Sequence, residues 1–205
     1  MTLAPLARLA LRLSPALLLA ALLPAAVATA AEAPQWRVED GSRVGFVARQ
    51  AGAAITGRFE RFDAEIRFDP DNLDGSHVAV DIDVASVDTQ SSDRDQVIRS
   101  ADLFNVARWP SARFEAARFE PNGNGHYKAL GQLTLREATQ DVVLPFEITI
   151  SEQPDDPATL QARAVGELPI MRLDYGVGQG QWRDTSVVAN EVVIQIEILA
   201  TRPKD

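Results

Sequence analysis

The chain has 205 residues, a formal net charge of −9 at pH 7 and no cysteine. Because an acidic surface repels phosphates, this charge disfavours nucleic acid as a partner and opposes docking on an anionic membrane. The lack of cysteine excludes disulfides, thiol redox chemistry and thiol catalysis, so stability must come from apolar burial.

The first 30 residues have the layout of a secretory signal peptide. Arg8 and Arg12 precede an uncharged apolar run over residues 13–27, and the small residues Ala28 and Ala30 follow it. Two prolines interrupt the run, which leaves a stretch too short for a membrane anchor. We therefore expect cleavage after Ala30, soluble export to the bacterial periplasm and no stable membrane insertion. Residues 31–205 are then expected to form one domain.

Alternation of apolar and polar residues with a period of two dominates the rest of the chain, and this pattern is typical of strands. Two such runs flank a polar turn over residues 69–76 and predict an antiparallel pair. The apolar members are Phe62, Ala64, Ile66 and Phe68 in the first run, and Val78, Val80, Ile82 and Val84 in the second.

Later runs repeat the alternation. Residues 114–116 and 127–135 flank the turn at 121–125 and predict a hairpin, and further runs cover residues 142–150, 160–168 and 192–198. Pro145 lacks an N–H, which favours an edge, a bulge or a barrel rim at that point. With additional starts near Trp36 and Phe46, about eight strands are expected.

One segment breaks the period. Residues 92–99 begin with Ser92, an N-capping residue, continue with acidic residues and then become apolar, which predicts a short helix. Eight antiparallel strands fit either a closed barrel with room for one ligand or a sandwich of two sheets with a solid core. The alternation with a period of two agrees equally with the barrel and with the sandwich.

Several motifs at fixed spacing are more specific. They are FDP at residues 68–70, IDVASVDT at 82–89, SADLFN at 100–105, WPSARF at 109–114 and RLDYGVG at 172–178. In these motifs the chain resembles the YceI-like proteins, a family of periplasmic lipid-binding barrels of lipocalin-like shape. The family usually has glycine where Glu137 stands and aspartate where Asn105 stands.

The resemblance implies an all-β fold, an extended antiparallel eight-stranded lipocalin-like barrel with a short helix beside it. It also implies a binding or carrier protein that sequesters an amphiphilic isoprenoid-type lipid, such as a polyprenyl chain, a quinone or a fatty-acid derivative. No other cofactor is expected. One buried isoprene unit could contribute up to roughly 4 kcal/mol at about 0.8 kcal/mol per methylene, so retention needs no catalytic group.

The candidate lining residues are apolar side chains on inward strand faces, although each is equally a candidate core residue. They are Phe62, Ile66, Phe68, Val80, Ile82, Val84, Phe114, Leu133, Leu135, Phe146 and Ile170. Three large rings near loops are candidates for gating the mouth or capping a lipid tail, although each is equally a candidate for covering a barrel end: Trp109, Tyr175 and Trp182. The head-group candidates, which are more readily explained as fixing a turn, are Asp88, Thr89, Arg94 and Asp95.

Catalysis and metal binding have little support. His77, Asp81 and Asp83 are close in sequence, but the two aspartates share a solvated strand face, and neither histidine of the chain lies in a metal-ligand pattern. We therefore expect no catalytic residue and no bound metal. The competing functions are a structural or adhesive β-sandwich that binds protein partners, and an enzyme that modifies a bound lipid.

Overall fold

The computed structural model describes residues 31–204. Within this range it contains eleven strands and one α-helix. The strands are β1 (Gln35–Val38), β2 (Arg43–Gln50), β3 (Ala53–Phe59), β4 (Phe62–Arg67), β5 (His77–Asp83), β6 (Val87–Asp88), β7 (Ser111–Pro121), β8 (His126–Leu135), β9 (Ala138–Gln153), β10 (Asp156–Met171) and β11 (Glu191–Pro203), and the helix is α1 (Ser92–Arg99). The predicted signal peptide and its cleavage site lie outside the described residues.

Eight antiparallel strands close into a barrel in the order β1, β4, β5, β7, β8, β9, β10, β11, and β11 pairs back to β1. This closure confirms the predicted eight-stranded barrel, and the alternative of a sandwich of two sheets is wrong. The remaining strands extend the wall: β2 pairs with β11, β3 with β2, and the short β6 with β3.

The predicted antiparallel pair is formed by β4 and β5, in which Phe62 is opposite Ile82 and Ile66 is opposite Val78. Directly opposed residues point to the same face of a sheet, so this register gathers the apolar side chains of both strands on one side. A two-residue turn joins β2 and β3, with positive φ at Ala51 and Gly52 (48° and 82°) as a type I′ hairpin requires.

Pro145 marks a change in strand pairing within β9. The ladder between β9 and β10 ends at the pair Phe146 and Gly166, one residue from the proline, while the pairing of β9 with β8 continues to Ala138. From Pro145 back to Ala138, β9 therefore has a ladder on one side only. The expectation of an edge at this proline is confirmed.

The helix α1 spans the predicted residues, but its N-cap is Ser91 and not Ser92, and the Ser91 side chain makes no capping bond.

The two departures from the family pattern fall at or beside residues with positive φ. Asn105 has a φ of 49°, a value that asparagine tolerates better than most residues, and Arg136, beside Glu137 in the β8–β9 turn, has a φ of 54°. None of the helices in residues 31–204 combines the length and apolar character that crossing a membrane requires.

Candidate functional site

The barrel encloses a cavity of about 560 Å³, which lies within the range of pockets that bury small ligands. Its wall consists of inward positions of the strands. Along β11, for example, alternate residues from Val192 to Ala200 line it, while Glu197, between two of them, pairs on the outside with Arg163. Strand alternation therefore builds an apolar interior behind a charged exterior.

The interior is open because many wall positions carry small side chains. Gly57 shows why size matters, since an added Cβ there would overlap the tip of the Phe46 ring and lie 2.9 Å from Thr89 Cγ2. The alanines that line the cavity are Ala48, Ala112, Ala129, Ala162, Ala164 and Ala200. Larger residues at these positions would fill the space with side chains.

An aromatic cluster closes one end of the cavity. The Phe68 ring lies 5.5 Å from Phe119, 5.2 Å from Tyr127 and 5.7 Å from Phe146, in edge-to-face arrangements between ring centroids. Trp36 donates its indole N–H to the Phe68 carbonyl oxygen at 2.9 Å. All of these rings except Tyr127 line the cavity, and we call this end the floor.

The opposite end, the mouth, is formed by the end of β2, by α1 and by the segment between β10 and β11. Asp93 and Val97 of α1 line the cavity and are exposed, so the cavity reaches solvent there. The side chains with charged, amide or hydroxyl groups that line the cavity all lie at this end: Gln50, Ser91, Asp93, Arg94 and Arg172.

Among the head-group candidates, Arg94 lines the cavity and the other three do not. Arg94 donates from Nε to Thr89 Oγ1 (2.8 Å) and from Nη2 to Thr89 O (2.7 Å), and the buried Asp95 Oδ1 accepts from Thr89 N (2.9 Å) and Oγ1 (2.6 Å). Asp88 accepts from Gln90 N and pairs with Arg58 at 2.8 Å. Thr89, Asp95 and Asp88 thus fix the turn into α1.

Arg172, which was not among the predicted site residues, is only 3% exposed where it lines the mouth. Its Nε, Nη1 and Nη2 donate to the carbonyl oxygens of Ala189 (2.9 Å), Val177 (2.8 Å) and Val188 (2.7 Å). Burial lowers the pKa of this guanidinium from its ordinary value. The bonds to Val188 and Ala189 tie the start of the segment between β10 and β11 to its end, and the bond to Val177 stays within its first part.

The three ring candidates occupy different environments. Trp182 lines the cavity mouth, whereas Trp109 and Tyr175 do not line the cavity. The guanidinium groups of Arg108 and Arg136 both lie over the Trp109 ring, each 4.5 Å from its centroid. Tyr175 is a core residue, and burial, with a smaller effect of Asp174, raises the pKa of its hydroxyl.

Most of the predicted lining residues are brought together around the cavity: Ile66, Phe68, Val80, Ile82, Phe114, Leu133, Leu135, Phe146 and Ile170. Phe62 and Val84 do not line it. Phe62 is opposite Ile82 but lies at the break between β3 and β4. Val84 follows the last residue of β5 and enters a 3₁₀ turn, where its N–H donates to Pro110 O and the strand alternation has ended.

Several lining residues were not predicted. Phe119 was missed because a bulge between Ala116 and Arg118 shifts the alternation of β7 by one residue. Phe46 follows the alternation of β2 and could have been selected from it. Phe59 and Phe104, whose ring centroids are 6.2 Å apart, come from different parts of the chain, and only the fold brings them together.

The acidic residues considered for catalysis lie outside the cavity in ion pairs. Asp81 pairs with Arg113, Asp83 pairs with Arg61 at 2.6 Å, and His77 Nε2 lies 3.3 Å from Glu115 Oε1. Hydrogen bonds from His77 and Arg113 lower the pKa of Glu115. Residues 31–204 contain no group of three His, Cys, Asp or Glu side chains arranged to hold a metal.

The YceI-like domain matches residues 36–200. The chain belongs to the YceI-like family. A UPF0312 protein from Vibrio cholerae is 33% identical over 123 residues, which cover 60% of this chain and 65% of that relative. The chain thus spans somewhat less than two thirds of this relative's length.

Solved structures agree with the family assignment. BcnA from Burkholderia cenocepacia superposes with a TM-score of 0.72 at 31% identity, covering 80% of this chain and 99% of that one. A polyisoprenoid binding domain from Saccharophagus degradans superposes with a TM-score of 0.61 at 16% identity, covering 82% and 98%. The second similarity shows a shared fold.

Proposed function

We propose that this YceI-like protein is a periplasmic binding or carrier protein that holds one amphiphilic isoprenoid-type lipid in its barrel. The observation that carries the proposal is the distribution of polarity along the cavity. The walls and the floor are apolar, and the polar lining side chains are confined to the mouth. An amphiphile has the same distribution, with an apolar tail that gains from burial and a polar head that must stay hydrated or hydrogen-bonded.

The residues at the mouth suggest how the head would be held. The guanidinium group of Arg94 has three nitrogen atoms, of which Nε and Nη2 donate hydrogen bonds to Thr89. The side chain is half-buried at the cavity edge. Asp93 and Gln50 also reach the cavity. We therefore assign head-group contact to Arg94, Gln50 and Trp182, and assign Asp88, Thr89 and Asp95 to the support of the turn.

Binding, rather than catalysis, is the activity that this cavity supports. Within residues 31–204 its lining includes no histidine and a single carboxylate, Asp93, which is exposed at the mouth. General acid–base work on a bound lipid would require titratable groups within hydrogen-bond reach of the reacting atoms. The apolar walls offer contact with a tail and no such groups.

The test is native mass spectrometry of the protein purified from a bacterial periplasm, followed by organic extraction of any bound compound. We expect a prenyl chain, a quinone or a fatty-acid derivative at a stoichiometry of one per chain. A protein that is free of lipid and takes up no added prenyl alcohol would overturn the proposal, and turnover of a bound lipid would replace it with an enzyme.

A further inference from the structure

The strand pairing of the barrel wall is interrupted between β1 and β4. The first two residues of β1 pair with β4, and the next two pair with β11 instead. Pairing between the same two parts of the chain resumes at Val44 and Phe59, where β2 meets β3. Residues 37–43 and 60–65 therefore have no ladder between them, and most of them line a groove of about 1320 Å³ on the outer surface.

The groove contains an open strand edge. From Phe62 to Glu65, β4 has a ladder with β5 on one side only, because its pairing with β1 ends at Ile66. Within residues 31–204, no further backbone hydrogen bond joins this stretch to the opposite side of the groove. Unpaired N–H and C=O groups along a strand are a template for another extended chain.

The side chains of this edge alternate as in the rest of the barrel. Phe62 and Ala64 are half-buried and line the groove together with Val38, and none of the three lines the barrel cavity. Asp63, between Phe62 and Ala64, is exposed in the groove. Because directly opposed residues point to the same face, a strand added beside β4 would continue this alternation. Apolar residues of that strand would contact Phe62 and Ala64, and the residue between them would lie beside Asp63.

Asp63 lies against a second carboxylate and has no cation of its own. It is directly opposite Asp81 in the ladder between β4 and β5, and like charges in opposed positions destabilise a sheet. Arg113 pairs with Asp81, whereas no side chain within residues 31–204 forms an ion pair or a hydrogen bond with the Asp63 carboxylate. A basic residue on an added strand would supply the cation that this position lacks.

The remaining charges of the groove favour the same kind of partner. The three arginines that line it each have a partner in the structure: Glu39 for Arg37 at 2.9 Å, Asp83 for Arg61 at 2.6 Å, and the Trp36 ring for Arg202 at 5.2 Å. Asp40, on the side of the groove formed by residues 37–43, is another exposed carboxylate. The unmatched charge is therefore negative, and its complement is positive.

We infer that this groove binds an extended segment of a partner protein in which a lysine or arginine stands between two apolar residues. The segment adds a strand to the open edge of β4. Its basic residue pairs with Asp63, and its apolar residues contact Phe62 and Ala64. The inference is independent of the proposed lipid binding, because Trp36 is the one described residue that lines both the groove and the cavity.

The experiment measures binding of two fluorescein-labelled peptides, Thr-Val-Lys-Val-Thr and Thr-Val-Glu-Val-Thr, to the purified protein by fluorescence anisotropy. The wild type should bind the lysine peptide at least about fivefold more tightly, because the glutamate peptide places a third carboxylate beside Asp63 and Asp81. Asp63→Lys should reverse this preference. Asp141→Lys, the same change of charge at an exposed position of β9, is the matched control and should keep the wild-type preference.

Two further measurements test the mode of binding. Amide signals of Phe62–Glu65 should shift in nuclear magnetic resonance spectra when the lysine peptide is added, and exchange of these amide hydrogens should slow. A lysine peptide with proline in place of both valines should bind at least about fivefold more weakly, because proline has no N–H to pair with a strand edge.

Three results would overturn the inference: no binding of the lysine peptide at millimolar concentration, spectral shifts confined to residues outside 37–43 and 60–65, or a preference that changes equally in Asp63→Lys and Asp141→Lys. The last result would show attraction by net charge alone. Thermal melts establish that both variants are folded. Asp63→Lys should melt no lower than the wild type, since it replaces repulsion from Asp81 with attraction.

Discussion

Trp36 and Phe68 are joined by a hydrogen bond from the indole N–H to the backbone carbonyl oxygen, at 2.9 Å, across 32 positions of the chain. Trp36 belongs to β1 and Phe68 follows β4, so the bond connects two neighbouring strands at the floor of the cavity. Both residues are 3% exposed. Water therefore has little access to the Phe68 carbonyl oxygen and cannot readily replace the indole as its hydrogen-bond donor.

Trp36→Phe should lower the free energy of unfolding by about 1–3 kcal/mol, because it leaves the buried Phe68 carbonyl without this donor. Urea unfolding measures the loss. Trp182→Phe, the same chemical change at a half-buried position of the mouth, is the control and should cost less than about 0.5 kcal/mol. Equal losses for the two variants would contradict a specific contribution from the bond.

Gly57→Ala should reduce the volume available to a ligand. The new Cβ would overlap the Phe46 ring, so the ring must shift, and because Phe46 lines the cavity we expect it to shift into the interior. We expect weaker binding of geranylgeraniol and a stability loss of about 1–3 kcal/mol from overpacking. Adding Phe46→Leu should restore binding, since the smaller side chain no longer meets the methyl group. Binding that stays at the wild-type level in Gly57→Ala would show that the ring moves elsewhere.

Arg172→Lys should destabilise the protein by at least about 2 kcal/mol although it keeps the charge. An ammonium group lacks the planar fork by which Arg172 reaches the carbonyl oxygens of Ala189, Val177 and Val188. Limited proteolysis should show earlier cleavage in residues 177–190, and urea unfolding should show the global loss. Arg163→Lys, on the exposed outer face beside Glu197, is the matched control with an expected effect within about 0.5 kcal/mol.

Tyr175 should make stability sensitive to alkaline pH. Burial raises the pKa of its hydroxyl in the folded protein, whereas in the unfolded chain the group titrates near pH 10. As the pH rises above about 10, the unfolded state loses the proton first, so the free energy of unfolding falls until the folded pKa is passed. Tyr175→Phe should flatten this decline in urea titrations between neutral and alkaline pH. An unchanged slope would contradict a buried, titrating hydroxyl.

The strand pattern could be predicted because side chains alternate strictly wherever one face of a strand is buried. The same rule placed Ile66, Val80, Ile82 and Leu133 on the cavity wall. It failed where the backbone departs from a regular strand. The bulge in β7 brings Phe119 into the cavity against the alternation, and the 3₁₀ turn after β5 takes Val84 out of it.

The mouth was the least predictable part of the site. Arg172 is in a recognised motif, but its burial depends on carbonyl groups up to 17 residues away in the chain. Trp109 and Tyr175 were candidates for gating the mouth or capping a lipid tail because each is a large ring near a loop. In the fold, the guanidinium groups of two arginines lie over the Trp109 ring, and Tyr175 packs in the hydrophobic core.

The sequence by itself determined the class of fold, the hairpins and the short helix, because these depend on local alternation, turn chemistry and the residues at a helix start. Only the tertiary structure decided that the sheet closes into a barrel, that small residues leave a cavity inside it and that aromatic rings close one end. Those features arise from contacts between residues far apart in the chain. A pattern with a period of two specifies which face is buried, but closure and volume depend on how many strands meet and which side chains then face each other.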